Sequence, residues 1–173
     1  MNCDPREPVW AIYALTVAAR FMLLAKDAHD AIDRICERVI GCAIEVHRTM
    51  GPGLLESIYR ECMLMELQEQ DAHVERERTI AVSYKERPLL SRFRIDLLVE
   101  RCLIVELKAV EAVKPIHKAQ VITYLKLTGH PAGLLINFND VTLKAGLHRL
   151  DHPHRYVRRE AGGGAPVKQT DHG

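Results

Sequence analysis

The sequence predicts an α/β domain built on a central mixed sheet with helices on its faces. Apolar residues recur at spacings of three and four as far as residue 71, and at every second position from residue 73. A further helical segment and a short apolar run, residues 132–138, follow. A chain of 173 residues, 47% of them hydrophobic, is long enough for one domain with a sizeable core and too short for two ordinary ones.

Two helices are predicted before the strands. The first follows residue 26 and runs to about Met50, where the glycines and proline of residues 51–53 stop it. The second begins at Leu54 and ends near Asp71. Its apolar spacing predicts the following inward side chains: Leu55, Ile58, Cys62, Met65 and Leu67.

Three strands in an antiparallel meander are predicted next, over residues 73–84, 89–99 and 102–110. Pro115 suits the first turn of a helix over residues 115–128, and Gly129 closes that helix. The apolar run 132–138 is expected to be a central strand, and residues 141–150 to add either an edge strand or a last helical turn.

The two ends of the chain are predicted to lie outside the main domain, which spans residues 26–150. Residues 1–25 form an N-terminal helical extension, whose apolar run is too short, and too interrupted by Arg20, for stable membrane association. Residues 151–173 contain three consecutive glycines and few apolar residues, which predicts a disordered tail. Five scattered cysteines without ligand spacing predict reduced thiols and a cytoplasmic location.

Charge does not point to a partner by itself. Lys and Arg number 24 against 23 Asp and Glu, so the whole chain has no bulk attraction for nucleic acid or anionic membrane. Any binding to a polyanion must come from local clustering of basic residues.

Two carboxylates and an ammonium interrupt the apolar hairpin of residues 93–110. A hairpin loop centred near Arg101 places Asp96 directly opposite Glu106, with their Cβ atoms about 4.5 to 5.5 Å apart. Two like charges at that distance destabilise a sheet unless a positive group lies between them. The pairing therefore predicts a cation at this point of the sheet.

A hard divalent cation would satisfy both carboxylates, because Mg²⁺ takes oxygen ligands and leaves positions for phosphate oxygens. Lys108 shares a face with Glu106, where it can act on the attacking water or balance charge in the transition state. In an alternative interpretation the same residues form a structural salt-bridge ladder. Arg92 and Arg94 then neutralise Asp96, while Glu106 pairs with Lys108.

The order of these residues resembles a known nuclease signature. Asp96 followed by Glu106-Leu107-Lys108 is similar to the PD-(D/E)XK motif, and the predicted elements are similar to the restriction-endonuclease-like αβββαβ core of that superfamily. Over about residues 30–150 the chain also resembles the small bacterial proteins of the GxxxExxY family, although Pro52 stands where that label asks for glycine. The segments that carry the resemblance are 51–59, 93–100, 104–110, 117–129 and 133–138.

The resemblance implies three further site residues. Glu56 would be a third carboxylate ligand, and Gln120 and Tyr124 would form the QxxxY element of the RecB-like branch, which supports a phosphate or the attacking water. Without the resemblance, Glu56 is explained as a first-turn glutamate that the helix dipole favours. Gln120 and Tyr124 are then the polar edge of a helix.

The residues and the resemblance together predict a nuclease that uses Mg²⁺ or Mn²⁺ to hydrolyse phosphodiester bonds in DNA or RNA. The expected metal ligands are Glu56, Asp96 and Glu106, and Lys108, Gln120 and Tyr124 complete the site. The alternative is a catalytically inert module on the same fold that binds nucleic acid or protein. The presence of every charged site residue favours the enzyme, because a decayed site is expected to lose a costly buried charge.

Overall fold

The computed structural model describes residues 9–153, with side chains from Lys26 onward. The predictions for residues 1–8, for the side chains of residues 9–25 and for the tail beyond residue 153 lie outside the described residues. The elements are α1 (Val9–Met50), α2 (Glu56–Glu69), β1 (Val74–Tyr84), β2 (Arg87–Val99), β3 (Leu103–Lys108), α3 (Pro115–Thr128), β4 (Ala132–Asn137), α4 (Leu143–Gly146) and β5 (Leu147–Asp151).

The five strands form one mixed sheet in the order β1-β2-β3-β4-β5. The first three strands are an antiparallel meander, as predicted, and β4 then lies parallel to β3 and antiparallel to β5. Helix α3 makes the crossover that a parallel pair requires. Gly129 ends α3 with a left-handed backbone (φ 73°), which confirms the predicted end of that helix.

The sheet carries a hydrophobic core on each face. The large core packs α1, α2 and α4 against one face and includes Val39, Met63 and Leu134. The small core packs α3 against the other face and includes Ile104 and Val121. The sheet is therefore covered on both faces, which confirms the predicted α/β fold with helices flanking a central mixed sheet.

The predicted inward face of α2 is largely wrong. Leu55 and Met65 are 70% and 62% exposed, whereas the buried side chains are Tyr59, Met63 and Leu67, spaced four apart. Of the five predicted side chains, Leu67 is buried and Cys62 packs, partly buried, against the large core. The apolar residues of this short helix fit two overlapping stripes, and the prediction chose the wrong one. The stripe that contains Tyr59 faces inward, where the Tyr59 ring stacks 4.5 Å from that of Phe138.

The C-terminal part of the fold contains both alternatives predicted for residues 141–150. The short helix α4 leads directly into β5, an edge strand that includes Asp151. Strand β4 is completely buried between β3 and β5, as a central strand should be. Within the described residues, no helix combines the length and the apolar character that crossing a membrane requires.

Candidate active site

The alternation of β2 breaks at Asp96. Ile95 and Leu98 both belong to the small core, whereas Leu97 and Val99 belong to the large core. Ile95 therefore does not share a face with Leu97 and Val99, as strict alternation along the strand would require. The break coincides with an irregular residue on the neighbouring strand: Glu77, between the residues paired with Ile95 and Leu97, has a positive φ of 51°.

Asp96 is fixed at this break by the backbone of β3. Strands β2 and β3 pair Leu97 with Val105, in the register that was predicted to place Asp96 opposite Glu106. Asp96 is 8% exposed, and its Oδ2 accepts a hydrogen bond of 2.9 Å from the backbone N–H of Leu107. The backbone of β3 therefore orients the Asp96 carboxylate and leaves Oδ1 to face the site.

Glu106 is the most deeply buried carboxyl of the site, at 2% exposure. Its Oε1 accepts a hydrogen bond of 2.5 Å from the Lys108 ammonium, whereas Oε2 is buried without a hydrogen-bond partner among the described residues. Burial and the repulsion of Asp96 raise the pKa of Glu106 to about 7, although Lys108 opposes the shift. The sheet thus holds a buried carboxyl whose charge its described neighbours do not fully compensate.

Lys108 is the last residue of β3, and its side chain is 13% exposed. Burial disfavours its charge, but the hydrogen bond to Glu106 and the attraction of Glu106, Glu56 and Asp96 outweigh burial, so the pKa of Lys108 is raised. Lys108 is therefore a protonated ammonium at neutral pH. The acidic groups that raise its pKa are the three predicted carboxylates, those of Glu56, Asp96 and Glu106.

Glu56 enters the site as the first residue of α2. The Tyr59 hydroxyl donates to the carbonyl oxygen of Gly51 (2.6 Å) and accepts from the backbone N–H of Leu54 (3.1 Å), which ties the preceding turn to the helix. Burial, followed by the repulsion of Asp96, raises the pKa of Glu56, while Lys108 and Arg60 oppose the shift. Tyr59 therefore fixes the helix end that presents Glu56 to Asp96 and Lys108.

Arg60 is a site residue that sequence reasoning missed. Its Nη2 lies 3.1 Å from Asp96 Oδ1 and 3.3 Å from Glu56 Oε1, and its Nη1 lies 3.4 Å from Glu77 Oε1. The available signal was its position one helical turn after Glu56, where a glutamate and an arginine form a favourable pair. The contacts with Glu77 and Asp96 cross elements and leave no local pattern.

The salt-bridge ladder of the alternative interpretation is present only in part. Glu106 pairs with Lys108 as that interpretation states. Asp96, however, pairs with Arg60 from α2, whereas Arg94 lies 3.3 Å from Glu77 Oε1. The ion pairs therefore do not run along one strand but connect α2, β1 and β2 around the carboxylates.

Gln120 and Tyr124 lie on α3, on the small-core side of the sheet. Gln120 Nε2 donates a hydrogen bond of 2.5 Å to the Tyr124 hydroxyl, and the Tyr124 ring is tilted against that of Phe93 at 5.5 Å. Burial, with repulsion from Glu106 and Asp96, raises the pKa of Tyr124, although Gln120 opposes the shift. The hydroxyl is therefore neutral and lies within electrostatic range of the hairpin carboxylates.

The carboxylates are arranged around protein cations. No group of three or more His, Cys, Asp and Glu side chains in the described part of the chain is placed to hold a metal ion directly. The Arg60 guanidinium lies between Glu56 and Asp96, and Lys108 holds one oxygen of Glu106. The donor set nevertheless fits a hard divalent cation, because it offers several carboxylate oxygens and one of them, Glu106 Oε2, is buried with no hydrogen-bond donor from residues 26–153.

Comparison with known proteins gave a match to a family model. No curated protein and no solved structure is significantly similar to the chain. Residues 33–150 match the sequence model of the PD-(D/E)XK nuclease superfamily. The matched segment contains all the predicted site residues and more than half of the chain, and the mixed five-stranded sheet flanked by helices is consistent with a restriction-endonuclease-like fold. The chain belongs to the PD-(D/E)XK nuclease superfamily.

Proposed function

We propose that the protein is a metal-dependent nuclease that hydrolyses phosphodiester bonds in DNA or RNA with Mg²⁺ or Mn²⁺ as cofactor. The observation that carries the proposal is the pair Glu106 and Lys108: a buried carboxyl, one oxygen of which has no partner within the described part of the chain, beside a largely buried ammonium. Asp96 lies on the adjacent strand and repels Glu106. This combination is costly for the fold and matches the needs of phosphoryl chemistry.

The cost of the site argues against an inert module. Because the pKa of Glu106 is about 7, this buried carboxyl is about half ionised at neutral pH. Folding therefore has to bury a partly charged group, which lowers stability. Apolar residues of similar volume would stabilise the hairpin more. A protein that only binds nucleic acid or another protein would gain nothing from this buried charge.

Glu56, Asp96 and Glu106 are the residues that would hold the cation. When bound there, it would supply Lewis-acid stabilisation of the phosphate and promote ionisation of water. The Leu107 N–H keeps Asp96 oriented for that task, and the Tyr59 contacts hold the helix end that carries Glu56.

Lys108 and Tyr124 would act on the reacting phosphate directly. Since the pKa of Lys108 is raised, it serves as a positive hydrogen-bond donor to developing charge and not as a resting-state base. The Tyr124 hydroxyl accepts from Gln120, which leaves its own hydrogen to donate to a phosphate oxygen or to the attacking water.

Within the superfamily we assign the chain to the GxxxExxY group. The motif has a physical meaning here, because Tyr59 closes the turn around Gly51 and Leu54 and so positions Glu56 at the first turn of α2. We also propose that residues 26–150 form the nuclease domain. From the cysteine pattern, in which Cys36 and Cys42 are small buried core residues, we propose a cytoplasmic location.

The test is cleavage by the full chain and by Lys108→Ala of single- and double-stranded DNA and RNA in Mg²⁺ or Mn²⁺. Loss of an electrostatic group should slow cleavage about 10²- to 10⁴-fold, while affinity measured in Ca²⁺ changes little. Lys126→Ala removes an exposed lysine of α3 and should cut like the parent. Tight binding without cutting in any metal would favour the inert module, and equal metal-independent cutting by all variants would indicate contamination.

A further inference from the structure

The Arg60 guanidinium occupies the position between two proposed metal ligands. One nitrogen, Nη2, contacts both Asp96 Oδ1 at 3.1 Å and Glu56 Oε1 at 3.3 Å. The side chain is only 16% exposed, so solvent does little to screen these contacts. In the metal-free protein, Arg60 therefore supplies the positive charge that Glu56 and Asp96 require.

A divalent cation and this guanidinium exclude each other at that position. Both would have to contact the same oxygens of Glu56 and Asp96, at a distance where like charges repel strongly in a partly dry site. Lys108 adds a further positive charge beside Glu106. Binding of a divalent cation to these carboxylates therefore requires Arg60 to move.

Glu77 is placed to receive the displaced guanidinium. Its Oε1 is already 3.4 Å from Arg60 Nη1, whereas it is the other terminal nitrogen, Nη2, that contacts Glu56 and Asp96. The positive φ of Glu77 lies at the point where β1 fails to pair with Asp96, so the strand departs from regular geometry where this carboxylate is presented. Arg60 Nε is also buried without a hydrogen-bond partner among the described residues, so the present position does not satisfy the whole guanidinium.

We propose that Arg60 is a built-in counter-ion that a divalent cation must displace from Glu56 and Asp96, and that Glu77 receives it. The inference rests on the proposed metal site and assigns positioning roles to two residues outside the predicted site. Arg60 prevents the carboxylates from repelling one another before the cation binds, and it sets the concentration of cation that the site needs. Glu77 lowers that concentration because it remains an ion-pair partner for the guanidinium after the cation has displaced it from Glu56 and Asp96.

The two residues should have opposite effects on cation affinity. Arg60→Gln removes the competitor, so the full-length protein should bind Mn²⁺ about tenfold more tightly, within the range found for coupled neighbouring charges. Glu77→Gln removes the receiving carboxylate, so Mn²⁺ should bind several-fold more weakly. The double variant should bind like Arg60→Gln, because Glu77 acts only through Arg60.

The experiment is calorimetric titration of each full-length variant with Mn²⁺, repeated with Mg²⁺. Arg94→Gln is the matched control: it removes a second guanidinium, 3.3 Å from Glu77 Oε1, that forms no salt bridge with Glu56 or Asp96 in the described structure. This control should bind Mn²⁺ within about twofold of the parent, which is the expected scatter for a surface ion pair.

Three results would overturn the inference. Weaker Mn²⁺ binding by Arg60→Gln would mean that Arg60 orients the ligands, and unchanged binding by Glu77→Gln would exclude the receiving role. If Arg60→Gln does not fold, the Glu77→Gln result decides alone, since it retains Arg60. A parent protein that binds no divalent cation would overturn both this inference and the proposed metal site, whereas failure of the variants alone would leave the metal site intact.

Discussion

Replacing Glu106 by glutamine removes a buried charge while nearly preserving side-chain size. The folded protein holds the pKa of Glu106 at about 7, against an ordinary value of 4.5, because burial and Asp96 disfavour the ionised form. Between these two pH values the folded protein keeps a proton that the unfolded chain has released. Stability therefore falls as pH rises through this window, and the loss is complete once Glu106 ionises above pH 7.

The size of this loss follows from the shift itself. One pKa unit corresponds to about 1.4 kcal/mol, so the shift of Glu106 corresponds to about 3 kcal/mol of folding free energy. Glutamine cannot ionise and should escape the loss. Part of that loss has already occurred at pH 5, so the free energy of unfolding of Glu106→Gln, relative to the parent, should be about 2–3 kcal/mol more favourable at pH 8 than at pH 5.

The assay is urea unfolding of both proteins in EDTA at pH 5, 6, 7 and 8. Lys108 stays protonated across this range, since its pKa is raised, so its own titration does not contribute. Glu111→Gln replaces an exposed glutamate and should show no such dependence. A stability difference that is constant with pH, or that falls as pH rises, would refute the reasoning about the buried Glu106.

Two further predictions concern the scaffold around the site. Tyr59→Phe should destabilise the protein by about 1–3 kcal/mol in thermal unfolding, because the Gly51 carbonyl and the Leu54 N–H both lose the hydroxyl; an unchanged melting temperature would contradict the role of Tyr59. Gly146→Ala should destabilise it by about 1–3 kcal/mol, since a Cβ there would lie 2.4 Å from the Asn137 carbonyl oxygen. Gly41→Ala is the control, because a Cβ there would meet no atom within 4 Å outside its own helix. It should stabilise the protein by about 1 kcal/mol through helix propensity.

Much of the fold is local enough to be read from the sequence. The order of the elements, the Gly129 helix end and the β2–β3 register follow from periodicity, a glycine and a short connection. The register in turn predicted that Asp96 and Glu106 would be neighbours. Lys108 followed from its place on the same face of β3 as Glu106.

The parts that could not be predicted depend on contacts between distant segments. The face of α2 was decided by the packing of Tyr59 against Phe138, which lies near the other end of the domain. The alternation of β2 breaks at Asp96, opposite the irregular backbone of Glu77 in β1, and neither strand's sequence pattern shows this. Arg60 contacts Glu77 and Asp96 only because α2 packs beside β1 and β2 in the folded protein.

Thermal unfolding of the parent in increasing Mg²⁺ or Mn²⁺ tests most directly whether Glu56, Asp96 and Glu106 bind a divalent cation. A cation that binds only the folded protein adds about 2.7 kcal/mol at one hundred times its dissociation constant, so the melting temperature should rise steadily with metal. Asp96→Asn should show a smaller rise, because it weakens the ligand that Leu107 N–H orients. A parent melting temperature that stays unchanged through millimolar Mg²⁺ and Mn²⁺ would contradict such binding.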